Sequence, residues 1–115
     1  MLDFACKRFD FRDIIKCGLS LTRAEMQVFH FFIKNSDKEM TAIQISKSTK
    51  LNLTTIQKAV KKLNEKGVIS RSQKNLDNGG YLFFYKCNSK KRIREILKEN
   101  MRKWIKVVEG AIDSW

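Results

Sequence analysis

Proline, paired cysteines and long apolar runs are missing from this chain of 115 residues. With no proline and only five glycines, the chain has no stretch with the composition of a flexible linker. The cysteines Cys6, Cys17 and Cys87 are odd in number and form no CxxC pair, which argues against a disulfide framework and a zinc site. No segment approaches the roughly 18 apolar residues of a membrane span, so we expect a cytoplasmic protein without a membrane partner.

Side chains for catalysis are also scarce. The chain has one histidine, His30, and its carboxylates show no spacing typical of a catalytic set or a metal site. A lone histidine within an apolar helical run is typical of a surface or core-edge imidazole. We therefore predict no enzyme activity, no catalytic residues, no metal ligands and no cofactor.

Positive charge, by contrast, is abundant. Lys and Arg number 24 against 12 Asp and Glu, which gives a net charge of +12 and a pI near 9.9. Such a charge favours polyanionic partners, with nucleic acid first, although it also serves solubility alone. Apolar residues make up 43% of the chain, enough for the core of one domain, with or without one protruding element.

Capping residues mark the predicted helices. Thr22 with Glu25 forms a capping box before a helix over about 23–34, and Thr41 caps a short helix reaching about 48. Asn52 caps a helix that runs to 66, and the following Gly67 suits the left-handed position that ends a helix. Ahead of these, the apolar spacing of residues 11–15 indicates a short helix that ends near residue 18.

A hairpin and a long helix complete the predicted order. Residues 68–74 and 81–85 have the composition of two strands, and the polar, glycine-containing segment 75–80 joins them. Ser89 then caps a helix over about 90–114. The sequence predicts an α+β fold in two parts: residues 1–88, with three helices and a hairpin after the short N-terminal helix, and residues 89–115, the C-terminal helix.

The segment TAIQISKSTKLNLTTIQKAVKKLNEKGVISRSQ carries the most specific pattern in the chain. Over residues 20–87, and above all in KKLNEKGVI, the sequence resembles winged helix-turn-helix transcriptional regulators of the MarR-like and TrmB-like groups of archaea and bacteria. The resemblance implies an α-α-α-β-β domain that binds double-stranded DNA as a transcriptional regulator. It does not identify the DNA sequence that is bound or any small-molecule effector.

The helix after Asn52 has a polar and basic face opposite its apolar one. If Ile56, Val60 and Leu63 face the core, the side chains that point away or flank it are Thr54, Thr55, Gln57, Lys58, Lys61 and Lys62. We predict that the first four read base edges in the major groove and that the last two contact phosphates. In the hairpin, we predict that Arg71, Lys74 and Asn75 contact DNA beside this site. An ordinary solvated surface is the alternative for both sets.

The C-terminal helix carries a broad apolar stripe. We predict a homodimer interface formed by Ile93, Leu97, Asn100, Trp104, Ile105, Val108 and Ile112. Asn100 would pair with its symmetry mate and fix the register. The alternative is that the helix packs only on its own domain.

Two other functions stay open at this point. One is a protein-interaction module on the same scaffold, with an incidental basic face. The other is a regulator that senses redox state through Cys6, Cys17 and Cys87, whose pKa values would be lowered by the neighbouring Lys7, Lys16 and Lys86.

Overall fold

The computed structural model describes residues 2–4 and 7–115, so Cys6 lies outside the described residues. The elements follow the order β1 (Leu2–Phe4), β2 (Lys7–Phe9), α1 (Phe11–Gly18), α2 (Arg23–Lys34), α3 (Ala42–Thr49), α4 (Leu53–Glu65), β3 (Ile69–Asn75), β4 (Tyr81–Cys87) and α5 (Lys90–Asp113). Helices α2 to α4 with the β3–β4 hairpin form a winged helix-turn-helix. The predicted α+β fold is confirmed.

Helices α2 to α5 begin at the predicted caps. Thr22 Oγ1 accepts the Glu25 backbone N–H at 3.2 Å, while the Thr22 N–H donates to Glu25 Oε1 at 2.7 Å. Thr41 makes the same reciprocal pair with Gln44, which was not predicted. Asn52 Oδ1 accepts two backbone N–H groups of α4, and Ser89 Oγ accepts one of α5. Each cap gives a partner to a backbone donor that the first helical turn leaves free.

Helix α4 ends in a left-handed turn at Gly67, whose φ is 82°. The Gly67 N–H donates to the Asn64 carbonyl at 3.1 Å, and the Val68 N–H donates to the Leu63 carbonyl at 3.2 Å. These two bonds form a Schellman motif, which satisfies the last carbonyls of the helix and directs the chain into β3.

The core lies between α2, α4, the base of the hairpin and the start of α5. Its largest fully buried side chains include Phe32, Leu63 and Ile69. Leu19 and Leu21, in the turn before α2, are also buried, although that turn has no helical or strand period by which to predict them. No polar or charged residue is buried in the described part of the chain.

Two β features were not predicted. Strands β1 and β2 pair antiparallel as a small N-terminal hairpin. Met40, just before α3, pairs with Tyr85 of β4 through backbone hydrogen bonds of 2.9 and 2.8 Å, which adds a one-residue third strand to the wing. Strands this short lack the alternation by which a strand is predicted from sequence.

Helix α5 has a packed first half and a protruding second half. Ile93 and Ile96 are buried in the domain core, and Leu97 packs against it. Asn100 Nδ2 donates to the Gly18 carbonyl at 2.9 Å. Beyond this bond α5 leaves the domain, so the molecule measures 62 × 25 × 24 Å.

These contacts correct part of the interface predicted for α5. Ile93 and Leu97 serve the core of their own domain, and Asn100 is bonded within the chain, so it does not serve as the pairing residue of a symmetric seam. The first turns of α5 also belong structurally with residues 1–88. Of the helices that the structure describes, none is long and apolar enough to cross a membrane.

Candidate nucleic-acid interface

The turn between α3 and α4 sets the angle at which α4 is presented. Lys50 adopts a left-handed conformation with φ of 62°, and its N–H donates to the Ser46 carbonyl at 2.8 Å. Ser46 Oγ donates to the Leu51 carbonyl at 2.6 Å, and Thr49 Oγ1 donates to the Ile45 carbonyl at 2.8 Å. Side-chain bonds to the backbone therefore hold a turn of only three residues, 50–52.

Helix α4 has one buried and one exposed face. Ile56, Ala59, Val60 and Leu63 are all at most 1% exposed, and they anchor α4 on α2 and α3. On the outer side the structure exposes Thr54, Gln57, Lys58 and Lys61, whereas Thr55 is half-buried. Because its inner face is fixed in the core, α4 presents short polar and basic side chains to solvent on its outer face. This is the arrangement required of a helix in the major groove.

Lys62 departs from the predicted phosphate contact. Its Nζ forms an ion pair with Glu25 Oε1 at 2.9 Å and also donates to the Ser20 carbonyl. Lys62 therefore ties α4 to the start of α2, and its charge is already matched. Helical spacing alone assigned Lys62 to the outer face of α4. The packing of α2 against α4 places the Glu25 carboxylate beside it.

The ion pair with Lys62 also affects the pKa of Glu25. Burial raises the pKa of Glu25, but hydrogen bonds from Thr22 and Lys62 and the lysine charge outweigh it, so the pKa lies below its usual value. Glu25 is therefore ionised at neutral pH, and it both caps α2 and holds Lys62.

Two lysines that the sequence analysis did not single out carry charge beside α4. Lys47 on α3 and Lys50 in the turn are both exposed and lie directly before α4. Lys47 lies near the end of the predicted short helix and Lys50 lies in the predicted turn. Their closeness to the start of the next helix was therefore the sequence signal that could have identified them.

The wing holds Arg71 and Lys74 against aromatic rings. The Arg71 guanidinium lies 4.4 Å from the centre of the Phe83 ring, and Lys74 Nζ lies 4.4 Å from that of Phe84. Lys74 also forms an ion pair with Glu39 at 2.8 Å, which lowers the pKa of Glu39. Arg71 has no carboxylate partner among the described residues, so its charge is unmatched there.

Asn75 lies at the end of β3, where it pairs with Tyr81. The loop that follows is closed by the Leu76 N–H, which donates to the Gly80 carbonyl at 3.0 Å. All side chains from Arg71 to Leu82 are exposed, so the wing extends into solvent beside the domain.

The thiols do not form a redox centre in the described part of the chain. Cys87 is buried, and burial raises the pKa of its thiol, so the expectation that Lys86 would favour a thiolate there is wrong. Cys17 is exposed on α1, and both thiols are free. No group of His, Cys, Asp and Glu within the described residues has the geometry of a metal site.

Comparison with known families matches residues 11–107 to the DnaD N-terminal domain. The chain belongs to the DnaD N-terminal domain family. The matched residues run from α1 into the protruding half of α5. They therefore include the whole winged helix-turn-helix of this family member and most of its α5.

Solved structures confirm the fold of this family member. A possible transcriptional regulator from Methanosarcina mazei Go1 is 43% identical, with a TM-score of 0.91 over 100% of this chain and 96% of that one. The transcriptional regulator BldR from Sulfolobus solfataricus is 15% identical, with a TM-score of 0.52 over 91% of this chain and 70% of its own. The second likeness concerns the fold alone, and the two together confirm the resemblance to winged helix-turn-helix regulators.

A curated relative extends the comparison to sequence. An uncharacterised protein of Methanocaldococcus jannaschii is 26% identical over an alignment of 116 positions, which covers 95% of this chain and 86% of that protein. The alignment covers nearly the whole of this chain.

Proposed function

We propose that the protein is a transcriptional regulator that binds double-stranded DNA with α4 in the major groove and the β3–β4 wing beside it. The observation that carries the proposal is the exposed face of α4, where Thr54, Gln57, Lys58 and Lys61 stand opposite a fully buried apolar face. The net charge of +12 and the 43% identity to a possible transcriptional regulator support it. Such a protein acts by binding, not catalysis, and would act in the cytoplasm.

The polar residues of α4 have different roles in this proposal. Thr54, Gln57 and Lys58 lie in the first half of the helix and read base edges, with Thr55 contributing its exposed part. Lys61 contacts a phosphate, as do Lys47 and Lys50 around the turn. On the wing, Arg71 and Asn75 contact the DNA backbone or the minor groove, while Lys74 stays tied to Glu39.

We propose further that the protein is a homodimer held by the protruding half of α5. Trp104 and Ile105 are 58% and 47% exposed, and Val107 and Ile112 are 71% and 62% exposed. One helix with this much exposed apolar surface is costly in water, and a second copy covers it with the same residues. With Val108, which is half-buried, these residues replace the longer seam predicted from sequence.

Two-fold symmetry has a consequence for the DNA site. Two copies of α4 would meet successive major grooves about 34 Å apart, so the bound sequence is a pseudo-palindrome with half-sites near one helical turn apart.

The test is DNA binding by the purified protein, first with a random duplex library and then with the selected site at several salt concentrations. We expect the logarithm of affinity to fall linearly with the logarithm of salt concentration. Gln57→Ala and Lys58→Ala should change the base preference, by about 1–3 kcal/mol per lost contact, whereas Lys61→Ala should weaken all sequences alike.

Lys106→Ala is the matched control, because Lys106 is exposed on α5 and lies far along the chain from α4. It should bind like the wild type. If the α4 variants also bind like the wild type, α4 is not the recognition helix. Partner capture that is insensitive to salt, with no duplex binding, would instead favour the protein-interaction module.

A further inference from the structure

A cleft on the outer side of the domain lies between α1 and α2, away from the buried face of α4. Its volume is about 280 Å³. This is slightly below the roughly 300–1,000 Å³ of pockets for drug-sized ligands, so the cleft has room only for a smaller molecule. Neither the proposed DNA contacts nor the apolar half of α5 includes a residue of its walls.

The two walls are matching stripes of polar side chains. Arg12 and Lys16 are four residues apart on α1, and Arg23, Gln27 and His30 follow one another at four- and three-residue steps on α2. Residues at these spacings project from the same side of a helix. Three cations therefore face one cleft, with Met26 between the polar groups and Asp13 as the one carboxylate in the lining.

The cations of the cleft are unmatched. Within the part of the chain that the structure describes, none of Arg12, Lys16 and Arg23 forms an ion pair. Like charges held close together repel each other and raise the free energy of the folded state. An anion bound between them turns this repulsion into a net attraction. Arg23 is also the first residue of α2, where the helix dipole adds positive potential.

The lining also holds a histidine, His30, whose Nε2 atom is enclosed by the protein. Its ring lines the cleft, and its Nε2 is buried with no hydrogen-bond partner among the described residues. Buried polar atoms without a partner are rare, because each costs about 1–3 kcal/mol. Burial, Arg12 and Lys34 lower the pKa of His30, so the ring is mainly neutral and carries one N–H donor.

We propose that the cleft between α1 and α2 binds a small polyvalent organic anion, a di- or tricarboxylate or a phosphate ester. Arg12, Lys16 and Arg23 bind its charged oxygens, while Gln27 and the His30 ring offer neutral hydrogen bonds. Anionic oxygens also occur on the DNA backbone, so the test distinguishes a free anion from a phosphate of bound DNA.

The experiment uses His30 as its own reporter, because it is the only histidine in the chain. Citrate is added to the full-length protein without DNA, at constant ionic strength maintained with potassium chloride, and the imidazole resonances of His30 are followed by NMR. We expect a saturable shift with one binding constant. Arg12→Gln and Arg23→Gln should each weaken citrate binding roughly tenfold or more, the scale of one lost charge-assisted hydrogen bond.

Lys106→Gln removes the same charge outside the cleft and should leave the binding constant unchanged. The proposal is overturned if the shift does not saturate, if Lys106→Gln weakens binding as much as Arg23→Gln, or if only duplex DNA moves the His30 resonances. In that last case the cleft belongs to the DNA footprint. Because citrate binding is measured without DNA, failure here leaves the proposed function standing, and failure of DNA binding leaves this site standing.

Discussion

Replacing glycine by alanine should have opposite effects at two positions of this chain. Gly67 has φ of 82°, and an added Cβ would lie 3.2 Å from Ile96 Cδ1 in the core. Gly110 lies inside α5, and an added Cβ would meet nothing within 4 Å. The same chemical change is therefore strained at the first site and free of strain at the second.

The magnitudes follow from these environments. A left-handed conformation costs an alanine about 1–2 kcal/mol, and moving the buried Ile96 side chain from its preferred rotamer costs about 0.5–1.5 kcal/mol. Reduced freedom of the unfolded chain offsets roughly 0.4–1 kcal/mol, which leaves a net loss of about 0.5–3 kcal/mol for Gly67→Ala. Gly110→Ala should stabilise α5 by up to about 0.5–1 kcal/mol, because glycine is a poor helix former.

The assay is urea unfolding followed by circular dichroism at 222 nm, with both variants at the same protein concentration, since the stability of the proposed dimer would depend on that concentration. If the same signal is followed during heating instead, each kcal/mol of stability corresponds to a shift of about 4 °C in Tm in a domain of this size. If Gly67→Ala is neutral, neither the left-handed turn nor the close contact with Ile96 constrains the fold. A loss at Gly110 equal to that at Gly67 would contradict the reasoning as well.

Three further predictions concern single side chains. Glu25→Gln should cost about 1 kcal/mol of unfolding free energy at neutral pH. Because folding lowers the pKa of Glu25, its stabilisation is present above the unfolded pKa and is lost as pH falls through the folded pKa. The difference in unfolding free energy between variant and wild type should therefore shrink in acid, and a constant difference would refute the ion pair. In a Cys6→Ser background, Cys17 should react with a thiol reagent in the native protein and Cys87 only after unfolding; equal rates would contradict the burial of Cys87. Trp104→Ser should halve the mass seen by light scattering if α5 holds the dimer, and an unchanged dimer mass would place the interface elsewhere.

Local chemistry in the sequence was enough to determine where helices α2 to α5 begin, the order of the named elements from α1 onward and the two faces of α4. Thr22, Thr41, Asn52 and Ser89 each cap a helix because their oxygen accepts a backbone N–H two or three residues ahead, an interaction that needs no distant partner. Gly67 ends α4 for an equally local reason, its left-handed φ. The helix-turn-helix and its wing followed from these signals.

Contacts between residues far apart in sequence could be decided only by the tertiary structure. Lys62 meets Glu25, Lys74 meets Glu39, and Asn100 reaches the Gly18 carbonyl, so side chains predicted to bind DNA or a second copy are bonded within their own chain. Helical period states which face a residue occupies, but not which element packs against that face. The partners depend on how α1 and α2 cross α4 and α5, and on where the wing lies beside the segment before α3, all of which is set by the packing of the whole core.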